Sequence, residues 1–89
     1  MKAIITVIGK DCVGILAKVS DTCAKADVNI VEVTQSVLQD MFAMVMLVDI
    51  DKSNIGFEQL RESLEKVGDA TGTKIHLMHE DIFNSMHKI

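Results

Sequence analysis

The sequence of 89 residues is poor in aromatic and strongly basic features. It has no tryptophan or tyrosine and three phenylalanines, and its formal net charge is −4. Base stacking needs aromatic side chains and phosphate binding needs a basic patch, so we exclude a nucleic-acid-binding protein. Arg61 is the only arginine. The first loop therefore lacks the fixed guanidinium that clamps a phosphate in enzymes of the acylphosphatase pattern, and no catalytic residues are predicted.

The chain also lacks a long apolar run. No segment approaches the roughly 20 residues that a membrane-spanning helix needs. The start, Met1-Lys2-Ala3, has no small-residue cleavage site, so we expect a cytoplasmic protein with no membrane partner. Cys12 falls in a loop and Cys23 in an apolar helical stripe, and no structural disulfide is expected between them.

What the chain does contain is aliphatic, since 48% of its residues are hydrophobic and few are aromatic. A chain of this length forms one domain with a thin core, burying about 60 to 65% of the surface that its unfolded chain exposes. Association with a second copy is a natural source of further stability. A homodimer is therefore expected.

Hydrophobic periodicity predicts four strands and two helices. Residues 2–8 and 41–50 are apolar on both faces, which indicates central strands, whereas 29–38 and 73–79 alternate as edge strands do. The apolar stripe of the first helix consists of Ile15, Leu16, Val19, Cys23 and Ala26. That of the second helix consists of Phe57, Leu60, Leu64 and Val67. Gly68 is predicted to end the second helix.

Polar residues mark the expected boundaries of these elements. Asp11 is a candidate N-cap for the first helix, and Ser53 or Asn54 for the second. Asp27 falls where the first helix must stop, at a position that tolerates the left-handed conformation. Gln39-Asp40 is the predicted turn between the second and third strands.

The resulting order, βαββαβ, predicts an α+β fold of the ferredoxin-like sandwich type. Right-handed crossovers place strands 1 and 3 in the middle of a four-stranded antiparallel sheet of order 4-1-3-2, with both helices on one face. Val31, Val33 and Val37 are assigned to one face of strand 2. The apolar residues on the uncovered face of strands 1 and 3 are expected to meet another subunit.

Two further segments are candidates for contacts with a partner. Phe42, Met44 and Met46 share one face of strand 3 and are interpreted as part of a subunit interface, because methionine adapts to a partner surface. The domain is assigned to residues 1–79. Residues 80–89 form either a short C-terminal helix, packing on the domain or a partner, or a frayed tail.

The first loop carries the most informative motif. Asp11-Cys12-Val13-Gly14-Ile15 joins a strand to a helix, and Val28-Asn29-Ile30 follows that helix. These segments, together with the second helix of the type Phe57-Glu58-Gln59-Leu60, resemble the ACT domain family over about residues 2–79. The length and tail resemble small stand-alone ACT proteins of bacteria that have no attached enzyme.

The resemblance implies a regulatory module that binds an amino acid or a related metabolite at this loop, commonly between two domains. Carried over by position, the ligand-binding candidates are Asp11, Cys12, Val13, Gly14, Ile15, Asn29 and Ile30. Helix-initial N–H groups suit a carboxylate, an acidic side chain suits an ammonium group, and the carboxamide suits either one. Gly9 stands where several amino-acid-binding members carry a polar side chain, and a glycine there lets backbone approach a ligand.

Other interpretations remain open at this stage. Asp11, Gly14 and Asn29 could serve only a cap, close packing and a turn, and the protein could be an adaptor that docks on a protein partner without any small ligand. Cys12 at a helix start could be a reactive thiol. A copper site fails because Cys23 lies three helical turns beyond Cys12. His76 and His79 face opposite ways on a strand, so no metal site or cofactor is predicted.

Overall fold

The computed structural model describes residues 1–10 and 14–86. Within them the chain forms four strands and three helices. In chain order these are β1 (Lys2–Gly9), α1 (Ile15–Lys25), β2 (Asn29–Leu38), β3 (Met41–Asp49), α2 (Phe57–Thr71), β4 (Lys74–His79) and α3 (Glu80–Met86).

The four strands form one antiparallel sheet in the order β2-β3-β1-β4, which confirms the predicted ferredoxin-like arrangement. β1 pairs with both β3 and β4 over most of its length, and β3 pairs with both β1 and β2. The two strands that are apolar on both faces therefore occupy the centre, because only central strands are shielded on each side.

The core lies between one face of this sheet and helices α1 and α2. Its side chains are almost entirely aliphatic, as the composition indicated. The strands supply Ala3, Ile5, Val7, Met44, Met46, Val48, Ile75 and Leu77, and the two helices supply Ile15, Val19, Cys23, Leu60 and Leu64. Alternate strand positions share a face, so every second residue of β1 and β3 is buried here.

The assignment of Phe42, Met44 and Met46 to a subunit interface is wrong. Met44 and Met46 are 1% and 0% exposed within a single chain, and Phe42 packs half-buried against the same core. Their positions on β3 point toward the face that the helices cover. A partner has access to the opposite face of the strand and not to these side chains.

The face of the sheet away from α1 and α2 is also apolar. Val45, Leu47 and Met78 are half-buried there and Ile8 is 44% exposed, whereas Ile4 is already buried. Cross-strand partners share a face, and Ile4 is in register with both Leu47 and Met78. A second subunit over this face remains a prediction.

Of the two alternatives for the residues after 79, the short helix is present as α3. It contacts β1 and β4, and none of its residues is buried. Ile82 and Met86 are 52% and 65% exposed, and residues 87–89 lie outside the described part. No helix in residues 1–10 and 14–86 is both long and apolar enough to cross a bilayer.

The predicted boundaries of α2 are wrong at both ends. The helix begins after Gly56, while the Ser53 hydroxyl exchanges hydrogen bonds with the backbone of Ile55 and caps nothing. It continues through Gly68 and ends where Gly72 adopts the left-handed conformation at φ 71°. Gly68 is glycine for a different reason: a Cβ there would lie 2.9 Å from the carbonyl oxygen of Thr73.

The predicted turns at the ends of β2 are confirmed, but its alternation is interrupted. Asp27 and Gln39 both have positive φ, at 57° and 58°. A register shift between Ile30 and Glu32 marks a β-bulge. Val31 is the extra residue and is 48% exposed, so it does not share the core-facing side of the strand with Val33.

Candidate functional site

The predicted site residues fall into two groups in the structure. Asp11, Cys12 and Val13 lie outside the described residues, and their predicted ligand-binding roles stay predictions. Gly14 and Ile15 stand at the start of α1, and Asn29 and Ile30 at the start of β2.

Gly14, and not Asp11, occupies the N-cap position of α1. It has φ 76° and its carbonyl accepts the first helical hydrogen bond, from the Lys18 amide at 3.1 Å. A Cβ built on Gly14 would meet no atom of the described residues within 4 Å, so close packing between helix and sheet does not explain this glycine. The positive φ explains it, and the described residues leave open space for another molecule beside the start of the helix.

Ile15 and Ile30 offer only backbone groups to a ligand. The Ile15 side chain is 2% exposed in the core, and Ile30 packs half-buried against that core. The first turn of α1 contains no acidic residue. Its amide donors have no acceptor within the helix, and no carboxylate of that turn competes for them.

Gly9 has a packing role in the domain, and approach of a ligand to its backbone stays a prediction. A Cβ at Gly9 would lie 2.6 Å from the Cγ2 atom of Thr73 and 3.2 Å from its Cβ. Thr73 is buried and is held in place by a 2.9 Å hydrogen bond between its hydroxyl and that of Thr71. The space that a side chain at Gly9 would occupy is therefore filled by Thr73.

Gly14 and Asn29 lie at opposite ends of the domain. Asn29 is in register with Asp49, which is in register with Lys2 at the start of β1. Gly9, which leads into the first loop, is seven residues further along β1, about 23 Å at a strand's rise per residue. Helix α1 spans the same interval with 11 residues, about 16 Å of helix. A small ligand cannot touch both residues within one chain.

The corner that carries Asn29 is fixed by Asn54. The Asn54 side chain donates hydrogen bonds to the Lys25 carbonyl at 3.0 Å and to the Asp27 carboxylate at 2.9 Å. The backbone N–H of Asn54 donates a further hydrogen bond to the carbonyl of Ala26 at 3.0 Å. Asn54 was predicted as a helix cap, and this role was missed because its partners lie on a distant segment. The loop before α2 thus clamps the end of α1.

Asn29 itself is exposed and is the first residue of an edge strand. Since it faces Asp49, its side chain starts on the sheet face away from the helices, while Ile30 turns to the core. Within the described residues its carboxamide has no hydrogen-bond partner. It is available to a molecule outside the domain.

The outer edge of β2 is unpaired in the sheet. β2 pairs only with β3, and its ten residues include one charged side chain, Glu32. Val31 and Val37 are 48% and 69% exposed. Edge strands are usually protected by lysine, proline or brevity, and β2 has only its bulge. Such an edge favours pairing with another strand.

The remaining chemically distinctive groups support packing. Burial raises the pKa of the Cys23 thiol from 9.0 to about 11, which disfavours the reactive thiolate. His79 stacks on Phe57 with ring centroids 4.3 Å apart. Arg61 pairs with Glu58 on the surface of α2, and that carboxylate raises the pKa of the guanidinium. In the part of the chain that is described, no three His, Cys, Asp or Glu residues could share a metal ion.

Comparison with known proteins gives a consistent result. The family model of the ACT domain matches residues 2–78. A UPF0237 protein of Methanopyrus kandleri is 42% identical over 88 residues, which cover 99% of this chain and 98% of the relative. A UPF0237 protein of the bacterium Clostridium acetobutylicum is 44% identical over 89 residues, which cover 100% of both chains.

Solved structures agree with the sequence comparison. An ACT domain protein from Streptococcus pneumoniae is 41% identical and superposes with a TM-score of 0.81 over 93% of both chains. The ligand-free regulatory subunit of aspartate kinase from Thermus thermophilus is 28% identical, with a TM-score of 0.65 over 85% of this chain and 49% of that one.

Proposed function

The chain belongs to the ACT domain family, and we propose that it is a non-catalytic regulatory protein that forms a homodimer and binds an amino acid between its two subunits. ACT domains are regulatory modules that often bind amino acids. The regulatory subunit of aspartate kinase, which resembles this chain, is consistent with that role. The observation that carries the proposal is the separation of Gly14 from Asn29 within one chain.

A two-fold dimer through the β2 edge removes that separation. An axis normal to the sheet makes two β2 strands antiparallel, so the start of one lies beside the end of the other. β1 and β2 run in the same direction. The last residues of β2 therefore lie at the same end of the strands as the first loop, which follows β1. Asn29 of each subunit then approaches the Gly14 end of its partner.

The chemistry of the two ends suits a zwitterion. The helix-initial amides after Gly14 donate hydrogen bonds to a carboxylate, and the positive end of the α1 dipole favours the anion. The Asn29 carboxamide of the second subunit accepts from an ammonium group or donates to the carboxylate. Asp11 remains the predicted partner of the ammonium group.

Calorimetry and thermal unfolding against the standard amino acids test the ligand. A ligand at 100 times its Kd stabilises the folded protein by about 2.7 kcal/mol per site. For a domain of this size we expect the midpoint of unfolding to rise by about 10 °C or more. If no amino acid moves the midpoint, the protein is better regarded as an adaptor without a small ligand.

Mixing two defective variants tests the shared site. Gly14→Asn keeps a residue that tolerates positive φ but fills the open space, and Asn29→Leu removes the carboxamide. Each homodimer should lose binding while keeping its fold. In a mixed dimer one of the two sites combines an intact Gly14 with an intact Asn29, so binding returns at about a quarter of the wild-type capacity for random pairing. A site built within one chain would show no recovery.

The geometry of the dimer has its own test. Lysine blocks strand pairing at edges, so the double variant Gln35→Lys/Val37→Lys on β2 should be monomeric. These two exposed residues are in register with Met44 and Phe42, so the new lysines do not lie on the uncovered face of the sheet. The matched control places one lysine at Gln59, an exposed position of α2. Light scattering that shows an intact dimer for the β2 variant would move the interface to the uncovered face of the sheet.

A further inference from the structure

We propose that the outer edge of β4, together with Glu65 and Asp69 of α2, is a docking groove for an extended segment of a partner protein that carries basic residues two positions apart. This surface is separate from β2 and from the amino-acid site, so it does not depend on the function proposed above.

The backbone of β4 is free on its outer side. The strand pairs only with β1, and its six residues form the edge of the sheet opposite to the edge formed by β2. In an antiparallel strand every second residue turns its N–H and C=O groups away from its neighbour. About half of the residues of β4 therefore present unpaired backbone groups to an incoming strand.

A groove follows this edge. It has a volume of about 330 Å³ and runs between α2 and the start of β4. Glu65 and Asp69 line it on the helix side, and residues 73–76 line it on the strand side. An extended peptide placed between a helix and an edge strand is a recurring mode of recognition, in which the backbone supplies affinity and side chains supply specificity.

The charges of the groove select the side chains of that peptide. Glu65 and Asp69 are exposed and one helical turn apart, about 6 Å along the axis. Residues i and i+2 of a strand share a face and are separated by nearly the same distance, about 6.7 Å. Neither carboxylate forms an ion pair within 4 Å among the described residues, and Glu65 has only a longer-range attraction to the Arg61 guanidinium. Two basic side chains at i and i+2 would therefore meet both carboxylates.

The other face of the added strand meets a different environment. Lys74 and His76 are exposed and lie on the sheet face away from the helices, as their register with Ile8 and Thr6 shows. A cationic side chain of the peptide that pointed to this sheet face would be repelled by Lys74. The groove therefore fits alternating basic and neutral residues and disfavours a uniformly basic segment.

Fluorescence anisotropy with defined peptides tests this proposal. The probe is a labelled Thr-Arg-Thr-Arg-Thr-Val peptide, whose arginines share one face. The first control has the same composition with adjacent arginines, Thr-Thr-Arg-Arg-Thr-Val, which points them to opposite faces. The second is the probe methylated on alternate backbone nitrogens, which keeps its charges but cannot pair with β4. Only the first peptide should bind, with amide signals of residues 74–78 shifting in NMR spectra.

Charge variants complete the test. Glu65→Gln/Asp69→Asn should weaken binding of the probe about fivefold, in the range expected for two exposed ion pairs. The variant Asp40→Asn carries its charge change in the exposed turn between β2 and β3, outside the groove, and should leave affinity unchanged. Three results would each overturn the proposal: no binding of the probe at about 1 mM, equal binding of the control peptides, or NMR shifts confined to β2.

Discussion

The contact between Gly9 and Thr73 can be tested by adding a methyl group at residue 9 and removing one from residue 73. Gly9 is extended and in register with Phe42, so alanine suits its backbone conformation and would ordinarily stabilise the strand by about 0.5 to 1 kcal/mol. The new Cβ would lie 2.6 Å from Thr73 Cγ2, however, and Thr73 is held by its hydroxyl. Overpacking costs about 1 to 3 kcal/mol. We expect Gly9→Ala to lower the free energy of unfolding by about 1 to 2 kcal/mol.

The matched variant Thr73→Ser removes the obstructing methyl and keeps the hydroxyl that bonds to Thr71. The double variant Gly9→Ala/Thr73→Ser should therefore unfold within about 0.5 kcal/mol of the wild type, giving a coupling energy of at least about 1 kcal/mol. Urea unfolding followed by far-ultraviolet circular dichroism measures it, since the chain has no tryptophan or tyrosine. Strictly additive effects would refute the packing role of Gly9. Loss of amino-acid binding in a stably folded double variant would return Gly9 to the ligand site.

Three further substitutions test the fold. Since the Cys23 thiol has its pKa raised from 9.0 to about 11, the unfolded chain loses its proton first as pH rises. The free energy of unfolding should thus fall by about 1.4 kcal/mol per pH unit between these values, and Cys23→Ala should abolish that slope in pH-dependent urea titrations. Gly68→Ala should destabilise by about 1 to 2 kcal/mol because of the Thr73 carbonyl, despite alanine's helix propensity. A rise in its melting temperature would contradict this. Gly56→Asp, at an N-cap with open space, should stabilise by a few tenths of a kcal/mol in the same assay, and a loss would be the contrary result.

The fold was predictable because its dominant signals are local. Strands that are apolar on both faces must be central, and alternating ones must be edges, so the order of the sheet follows from pattern and handedness. The boundaries of α2 were missed because two glycines give the same signal. Gly68 is required by a carbonyl five residues further on and Gly72 by its own φ, and only the packed structure distinguishes these causes.

The candidate site was predicted less completely than the fold. The motif groups Gly14 with Asn29 because little more than helix α1 separates them along the sequence. A helix that connects parallel strands returns the chain to the opposite end of the sheet, so this closeness is lost in space. The bulge at Val31 was likewise invisible, since alternation of residue types cannot reveal one extra residue.

The distance between Gly14 and Asn29 within one chain explains how amino-acid binding would regulate dimer formation. A ligand whose contacts are divided between two subunits has its full affinity only for the dimer, so its binding free energy adds to that of association. At 100 times Kd, two occupied sites contribute about 5.4 kcal/mol, which lowers the dissociation constant of the dimer about 10⁴-fold. A thin-cored chain whose free edge carries a single charged side chain is well placed to convert amino-acid concentration into a change of assembly. A site contained within one subunit would stabilise monomer and dimer equally and would shift nothing.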